Sequence, residues 1–267
     1  MNLTEEWKKY LEELTDPENV DISSFETKEA LHPELWVPVC NDYLCAIDQR
    51  LDEEVGDTLY EIAKEFFKSL DLDWVDLLDV TMTGSLANFT WSEYSDIDLH
   101  LIIEYNQVDE NQELVADYLR KSSSLWNRSH KILIKGFEVE VYIQDSKESH
   151  YSGGVYSVKN DQWIEVPTRD DTQVDFNNVK KKAANLMDDI DEVLELFMSK
   201  NYEQALSEAD KIRLKIRKFR QAGLEEGGIF SVENLAFKVL RRNGYLQKLS
   251  SARIMSYDKT MSINGDH

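Results

Sequence analysis

The segment 96–103, DIDLHLII, constrains this chain most, because its polar and apolar residues alternate. Successive side chains of a β-strand point to opposite faces, so Asp96 and Asp98 share one face while Ile97, Leu99 and Leu101 pack on the other. Adjacent carboxylates repel each other unless a counter-charge lies between them. Mg²⁺ prefers hard oxygen ligands and supplies that charge. The segment therefore predicts a buried strand from Ile97 to Ile103, with a Mg²⁺ or Mn²⁺ site at its acidic pair.

A second feature lies upstream, where the segment 77–84, LLDVTMTG, predicts a strand ended by glycine. Gly84 and Ser85 follow it, and a spacer of nine residues leads to Ser95. Glycine lets a backbone approach a phosphate, and amide donors at a turn together with the Ser85 hydroxyl can bind one. Ser95 is expected to cap or orient the acidic strand. His100 lies on the acidic face, where a polar histidine with a backbone partner is the simpler interpretation and a phosphate contact the alternative.

A third acidic residue is expected on FEVEVYIQ, residues 137–144. Glu138 and Glu140 alternate with apolar residues, so both lie on one face of that strand. Glu140 sits deeper in the strand and is the first choice, with Glu138 as the fallback.

These parts, in this order, resemble the signature of the DNA polymerase β nucleotidyltransferase superfamily over residues 77–144. That signature is Gly-Ser, a spacer, an Asp-x-Asp strand and a third acid on a later strand, where the family more often uses Asp than Glu. The segments GVYSV and SVENLAFKVLRRNGY also resemble uncharacterised nucleotidyltransferase-like proteins, including phage-encoded ones.

The resemblance implies that metal ions are held by Asp96, Asp98 and Glu140, or Glu138 in its place. It implies that the nucleoside triphosphate is held by Gly84, Ser85 and Ser95. The implied reaction is a two-metal transfer of a nucleoside monophosphate to a hydroxyl acceptor with release of pyrophosphate. The alternative is a catalytically inactive nucleotide-binding or regulatory, antitoxin-like module on the same scaffold.

The net charge of the chain limits the kinds of partner that it is expected to bind. With 52 acidic and 30 basic residues its formal net charge is -22, so the average surface repels phosphate backbones. A small-molecule, protein or nucleotide acceptor is therefore favoured over naked nucleic acid, and a cationic small molecule is preferred among these. Ten of the basic residues lie between Lys211 and Lys248; they are expected to flank core-packing helices, with a triphosphate-facing wall as the alternative.

No apolar run is long enough to span a bilayer and no signal-peptide pattern is present, which predicts a cytoplasmic protein without a membrane partner. Cys40 and Cys45 are the two cysteines, too few for a disulfide framework, and are expected to be ordinary thiols.

The predicted fold is α/β (α+β), a nucleotidyltransferase core with a short mixed sheet, preceded by N-terminal helices and followed by a C-terminal helical domain. The expected domains are 1–170 and 171–267.

The apolar period predicts a helix over 39–70, with a break at Gly56 as an alternative, and another over 109–126 capped by Asp109 or Asn111. Hairpins are expected at Lys135-Gly136 and around residues 159–161. Later helices are predicted at 175–200, 202–222 and 231–243, with Gly223 and Gly227-Gly228 as stops and Ser231 as an N-cap.

Overall fold

A computed structural model describes residues 25–38, 49–148, 152–170, 172 and 174–263. These residues form two compact units, one on each side of the division between Asp171 and Thr172. Each unit is described by itself. None of the described helices is both long and apolar enough to cross a membrane.

The first unit contains a two-stranded and a six-stranded sheet with helices. Its elements in chain order are β1 (Trp36–Pro38), β2 (Gln49–Leu51), α1 (Glu53–Lys68), β3 (Asp79–Thr83), β4 (Ile97–Ile103), α2 (Tyr105–Val108), α3 (Gln112–Ser129), β5 (Leu133–Ile134), β6 (Phe137–Asp145), β7 (Val155–Ser157) and β8 (Gln162–Glu165). The second unit contains α4 (Phe176–Met198), α5 (Tyr202–Gly227), α6 (Val232–Arg242) and α7 (Tyr245–Met261), with a 3₁₀ turn at Gly228–Phe230. The α/β (α+β) class with a mixed sheet is confirmed.

The six-stranded sheet has the order β5-β6-β4-β3-β7-β8. Strands β4 and β6 are parallel, and the other neighbouring pairs are antiparallel. The two predicted hairpins are present. Lys135 and Gly136 both have positive φ, 49° and 89°, which is the backbone that a two-residue turn between twisted strands requires.

One face of this sheet carries the core of the unit. Apolar residues of β3, β4 and β6 pack there against α1 and α3, whose own buried residues recur at helical spacing. The buried side chains of the three strands are Val80, Met82, Ile97, Leu99, Leu101, Ile103, Val139 and Val141. Because two helices cover the apolar face, the polar residues that alternate with this set are left on the other face.

The free edge of β6 is covered by backbone and side-chain partners rather than by a full strand. The amide of Val139 donates to the Ile132 carbonyl at 2.9 Å. Further along, the Asn127 amide bonds both the N–H and the C=O of Val141, at 3.0 and 3.1 Å. The Tyr105 hydroxyl donates to the Ile143 carbonyl at 3.0 Å. These contacts satisfy backbone N–H and C=O groups of β6 that would otherwise be unpaired at the edge of the sheet.

The predicted helix over 39–70 is wrong over residues 49–52. Residues 49–51 form strand β2, paired with β1, and the helix begins after the Asp52 cap, whose side chain accepts from the Val55 amide. Gly56 does not break it. Residues 39–48 and the helices expected before Ser24 lie outside the described residues, and so do Cys40 and Cys45.

The other helix predictions need smaller corrections. Helix α3 begins after Asn111, which accepts from the Leu114 amide, and ends at Ser129 rather than Trp126. Helix α5 continues through Gly223 to Gly227, so Gly223 is not a stop. The Ser231 cap of α6 is confirmed, since its side chain accepts from the Asn234 amide. Helix α7 lies beyond the amphipathic segments that the sequence predicts.

The basic residues of α5 flank a packed helix in the second unit. Ile212 and Ile216 are buried. Lys215 pairs with Asp189 of α4, while Lys211 pairs with Glu208 of its own helix. These contacts fit the expectation of a core-packing helix with paired basic flanks.

Candidate functional site

The polar face of the central strands brings most of the predicted site residues together. In the register of the sheet, Asp98 lies between Thr83 of β3 and Glu140 of β6. His100 lies one step further, between Thr81 and Tyr142. Residues paired in register share a face, so this face carries two acids in adjacent strands with a histidine and a tyrosine beyond them.

Gly84 is placed against the Asp98 carboxylate. It has φ +80°, and a Cβ built on it would lie 1.9 Å from Oδ2 of Asp98. Both the backbone conformation and the available space therefore require glycine here. The sequence predicts that Gly84 lets the backbone approach a phosphate, which remains a prediction; in the structure the group next to Gly84 is the Asp98 side chain.

The Ser85 and Ser95 hydroxyls join the turn to the start of β4. The Ser85 hydroxyl donates to Oγ of Ser95 at 2.8 Å, and the Ser92 amide donates to the same oxygen at 3.0 Å. Ser95 thereby ties the Gly-Ser turn to the residue that precedes Asp96. Its buried hydroxyl orients this segment, as the sequence predicts.

The segment 152–154 packs onto the Gly-Ser turn through Ser152, which the sequence does not predict as a site residue. The Gly84 amide donates to Oγ of Ser152 at 3.2 Å, and Ser152 in turn donates to the Gly154 carbonyl at 2.9 Å. A Cβ on Gly154 would lie 2.0 Å from the Ala87 carbonyl oxygen.

The two candidates for the third acid occupy different neighbourhoods. Glu140 is the in-register partner of Asp98, whereas Glu138 pairs with Leu133 of β5 on the other side of β6. Both are partly buried, in alternation with buried Val139 and Val141. The structure thus brings Glu140 beside Asp98 by its position in the sheet.

Tyr142 also belongs to the site and was missed. Its hydroxyl donates a hydrogen bond to Oε2 of Glu140. Burial raises the pKa of this hydroxyl well above its usual range, and the hydrogen bond to Glu140 and the charges of Glu140, Asp98 and Asp96 raise the pKa further. The tyrosine therefore stays a donor that holds one position of the Glu140 carboxylate.

The donor set fits a hard divalent cation by chemistry, since carboxylate oxygens of Asp96, Asp98 and Glu140 are the ligands that Mg²⁺ prefers. The arrangement is not yet that of a ligand set. Across the described ranges, no group of three or more His, Cys, Asp or Glu side chains is arranged to hold a metal ion. One oxygen of Glu140, Oε2, is bonded to the Tyr142 hydroxyl.

The chain was compared with known protein families, with curated proteins and with solved structures, and no match was found in any of the three.

Proposed function

We propose that this chain is a metal-dependent nucleotidyltransferase, which transfers a nucleoside monophosphate from a nucleoside triphosphate to a hydroxyl acceptor. The observation that carries the proposal is the in-register pair of Asp98 and Glu140 on parallel strands, with Gly84 packed against the Asp98 carboxylate. An acidic pair of this kind beside a glycine-serine turn suits a site where metal ions meet phosphate.

In this proposal Asp96, Asp98 and Glu140 would hold the metal ions, which supply charge for the triphosphate and a lowered pKa for the acceptor hydroxyl. The acceptor oxygen bonds to the α-phosphorus, and the bond to the β-phosphate breaks. Pyrophosphate leaves with the electron pair. Glu138 or water takes the hydroxyl proton.

The phosphate donors proposed at the turn have partners within the chain. The Gly84 amide is bonded to Ser152 and the Ser85 hydroxyl to Ser95. Binding of a triphosphate would exchange these bonds for bonds to phosphate oxygens. Ser152 and Ser95 then stabilise the turn while no nucleotide is bound.

The test is pyrophosphate release from each NTP with Mg²⁺ or Mn²⁺, across hydroxyl acceptors. The double variant Asp96→Asn/Asp98→Asn is expected to abolish release, while Glu93→Gln removes an exposed acid just before the strand and should retain it. Undiminished turnover in the double variant would refute the proposal.

The internal partners of the turn, and the lack of a ligand triad in the described chain, favour one second candidate: an inactive nucleotide-binding or regulatory module. A ligand that binds only the native state raises thermal stability. Nucleotide-dependent stabilisation without pyrophosphate release, across the same acceptors, would select this candidate.

A further inference from the structure

A cavity of about 620 Å³ opens beside Glu140, at the sheet edge where Asn127 of α3 bonds to Val141 of β6. Its strand wall includes His100, Glu140 and Tyr142, and its helix wall includes Arg120, Ser123 and Arg128. This volume is in the range that holds one small molecule.

The cavity and the Gly-Ser turn lie on opposite sides of the acidic pair along the strands. Thr83 precedes the turn and pairs with Asp98. The cavity is lined by His100 and Tyr142, which form the next pair along the same face of the sheet. An in-line displacement needs its attacking and leaving oxygens on opposite sides of the phosphorus. A triphosphate at the turn would therefore direct its α-phosphorus toward the cavity side of the acids.

Ser123 contributes to the helix wall one buried hydroxyl that the protein itself does not use. This side chain is only 3% exposed, and its Oγ has no hydrogen-bond partner among the residues described. Burying a hydroxyl without a partner costs free energy, so a ligand that bonds Ser123 would remove a cost already present in the fold.

The charge of the helix wall is positive although the chain as a whole is acidic. Arg128 bonds the Ser124 carbonyl through Nε and forms no ion pair with any described residue. Arg120 is paired with Asp117 at 2.9 Å, and both side chains are exposed. An exposed ion pair is weak, so little free energy is lost if Arg120 leaves Asp117 to bind a ligand. Two arginines and a buried hydroxyl that line the same cavity suit an anionic group such as a phosphate or a carboxylate.

From these observations we infer that the cavity is the acceptor site of the proposed transferase. It takes a small molecule with a hydroxyl directed to Glu140 and an anionic group bound by Arg120, Arg128 and Ser123. The role of the cavity as an acceptor site rests on the proposed function. Binding of a small molecule to the cavity, however, is measured without nucleotide.

The first experiment measures binding of ribose 5-phosphate, gluconate and ribose to the full chain by calorimetry. Ribose 5-phosphate or gluconate should bind, and neutral ribose should bind at least about tenfold more weakly, because a lost charged hydrogen bond changes affinity by about tenfold or more. The two anionic probes separate a phosphate from a carboxylate preference. No binding of either anion, or equal binding of ribose, overturns the inference.

Variants then locate the bound anion. Arg128→Gln and Ser123→Ala are each expected to weaken binding of the preferred anion by about tenfold. Lys121→Gln, an exposed cation of α3 that does not line the cavity, should leave binding unchanged. Ser123→Ala should also leave thermal stability equal or higher, which separates loss of a ligand contact from loss of the fold. Binding that is unchanged in Arg128→Gln and Ser123→Ala overturns the inference.

Turnover separates this inference from the proposed function. Pyrophosphate release with the anionic acceptors supports both. Release with ribose or the cationic glucosamine, and none with the anions, leaves the transferase proposal standing and overturns the acceptor site. Absence of release with every acceptor, together with anion binding that depends on Arg128, contradicts the transferase proposal but supports the anion-binding cavity.

Discussion

Gly84 and Asp98 are in such close contact that the Asp98 carboxylate occupies the space that a side chain at residue 84 would need. A Cβ on Gly84 would lie 1.9 Å from Oδ2 of Asp98 and 2.9 Å from its Cγ. The glycine-serine turn and the acidic strand are therefore one packed element, and a change in the turn moves an acid of the proposed site.

Substitution of this glycine should affect both stability and activity. Gly84→Ala and Gly136→Ala both place a side chain at positive φ, 80° and 89°, which costs about 1–2 kcal/mol of unfolding free energy in each case. A Cβ on Gly136 meets nothing within 4 Å. Gly84→Ala should therefore cost more in denaturant titrations than Gly136→Ala, and it alone should reduce pyrophosphate release. Equal losses in the two variants would show that the Asp98 carboxylate moves away without cost.

The central strands and the Gly84 turn could be predicted because their signals are local. A short apolar run that alternates with acidic residues predicts a strand with one buried face. Strand β4 has the bounds that the sequence predicts. The contacts of Tyr142 and Ser152 could not be predicted, since they depend on which strands are neighbours and in what register. No local pattern encodes that arrangement.

The helix prediction for 39–70 failed for a physical reason. Ile47, Leu51 and Val55 are spaced as on one helical face, but the Asp52 cap interrupts that period and Leu51 belongs to a strand. The apolar spacing alone cannot distinguish a continuous helix from a strand that leads into a capped helix.

Tyr142 should act on the proposed reaction through Glu140. Tyr142→Phe removes the donor to the Glu140 carboxylate and should lower kcat by about tenfold with little change in KM, because it alters the position of the acid rather than substrate binding. The loss in the double variant Tyr142→Phe/Glu140→Gln should be no larger than in Glu140→Gln alone. Additive losses would mean that the tyrosine acts independently of Glu140.

Asn127 should stabilise the edge of β6. Its side chain satisfies the N–H and the C=O of Val141, so Asn127→Leu leaves both groups without a partner and should lower the unfolding free energy by about 2 kcal/mol. Ser129→Ala on the same helix is the control, since the exposed Ser129 hydroxyl bonds only the Leu125 carbonyl. A cost for Asn127→Leu no greater than that of the control, measured by urea unfolding, would contradict this assignment.

His32 should make stability depend on pH. Burial lowers its pKa from 6.5, although the charge of Glu34 opposes this shift, and its neutral ring packs edge-on against Trp91 and Phe137 at 4.6 and 4.9 Å. The unfolded chain then binds the proton more readily than the folded chain. The contribution is complete above the ordinary pKa and is lost as pH falls through the lower folded-state pKa.

The measurement is a comparison with His32→Phe, which keeps an aromatic ring and removes the titration. Between about pH 7.5 and about pH 5 the wild-type chain should lose unfolding free energy relative to the variant. Because both chains contain the other titrating groups, their contributions cancel in the difference between the two unfolding free energies. A difference that stays constant over this range would show that His32 has the same pKa in both states.

Two helical glycines should respond to alanine in opposite directions. A Cβ on Gly56 in α1 would lie 3.7 Å from Cδ2 of Leu51, an ordinary contact, so Gly56→Ala should raise the unfolding free energy by about 0.5–1 kcal/mol through helix propensity. A Cβ on Gly223 in α5 would lie 2.4 Å from Cβ of Glu233 and 2.8 Å from Oγ of Ser231. Gly223→Ala should therefore lower the unfolding free energy by about 1–3 kcal/mol, because α5 and α6 must separate to admit the methyl group.

This pair explains why Gly223 is not a helix stop: glycine is required there by the close approach of α6, not by a change of backbone direction. Urea unfolding of both variants measures the effect. If Gly223→Ala stabilises the chain as Gly56→Ala does, then helix propensity outweighs the contact, and the packing of α5 on the Ser231 cap is looser than 2.4 Å implies.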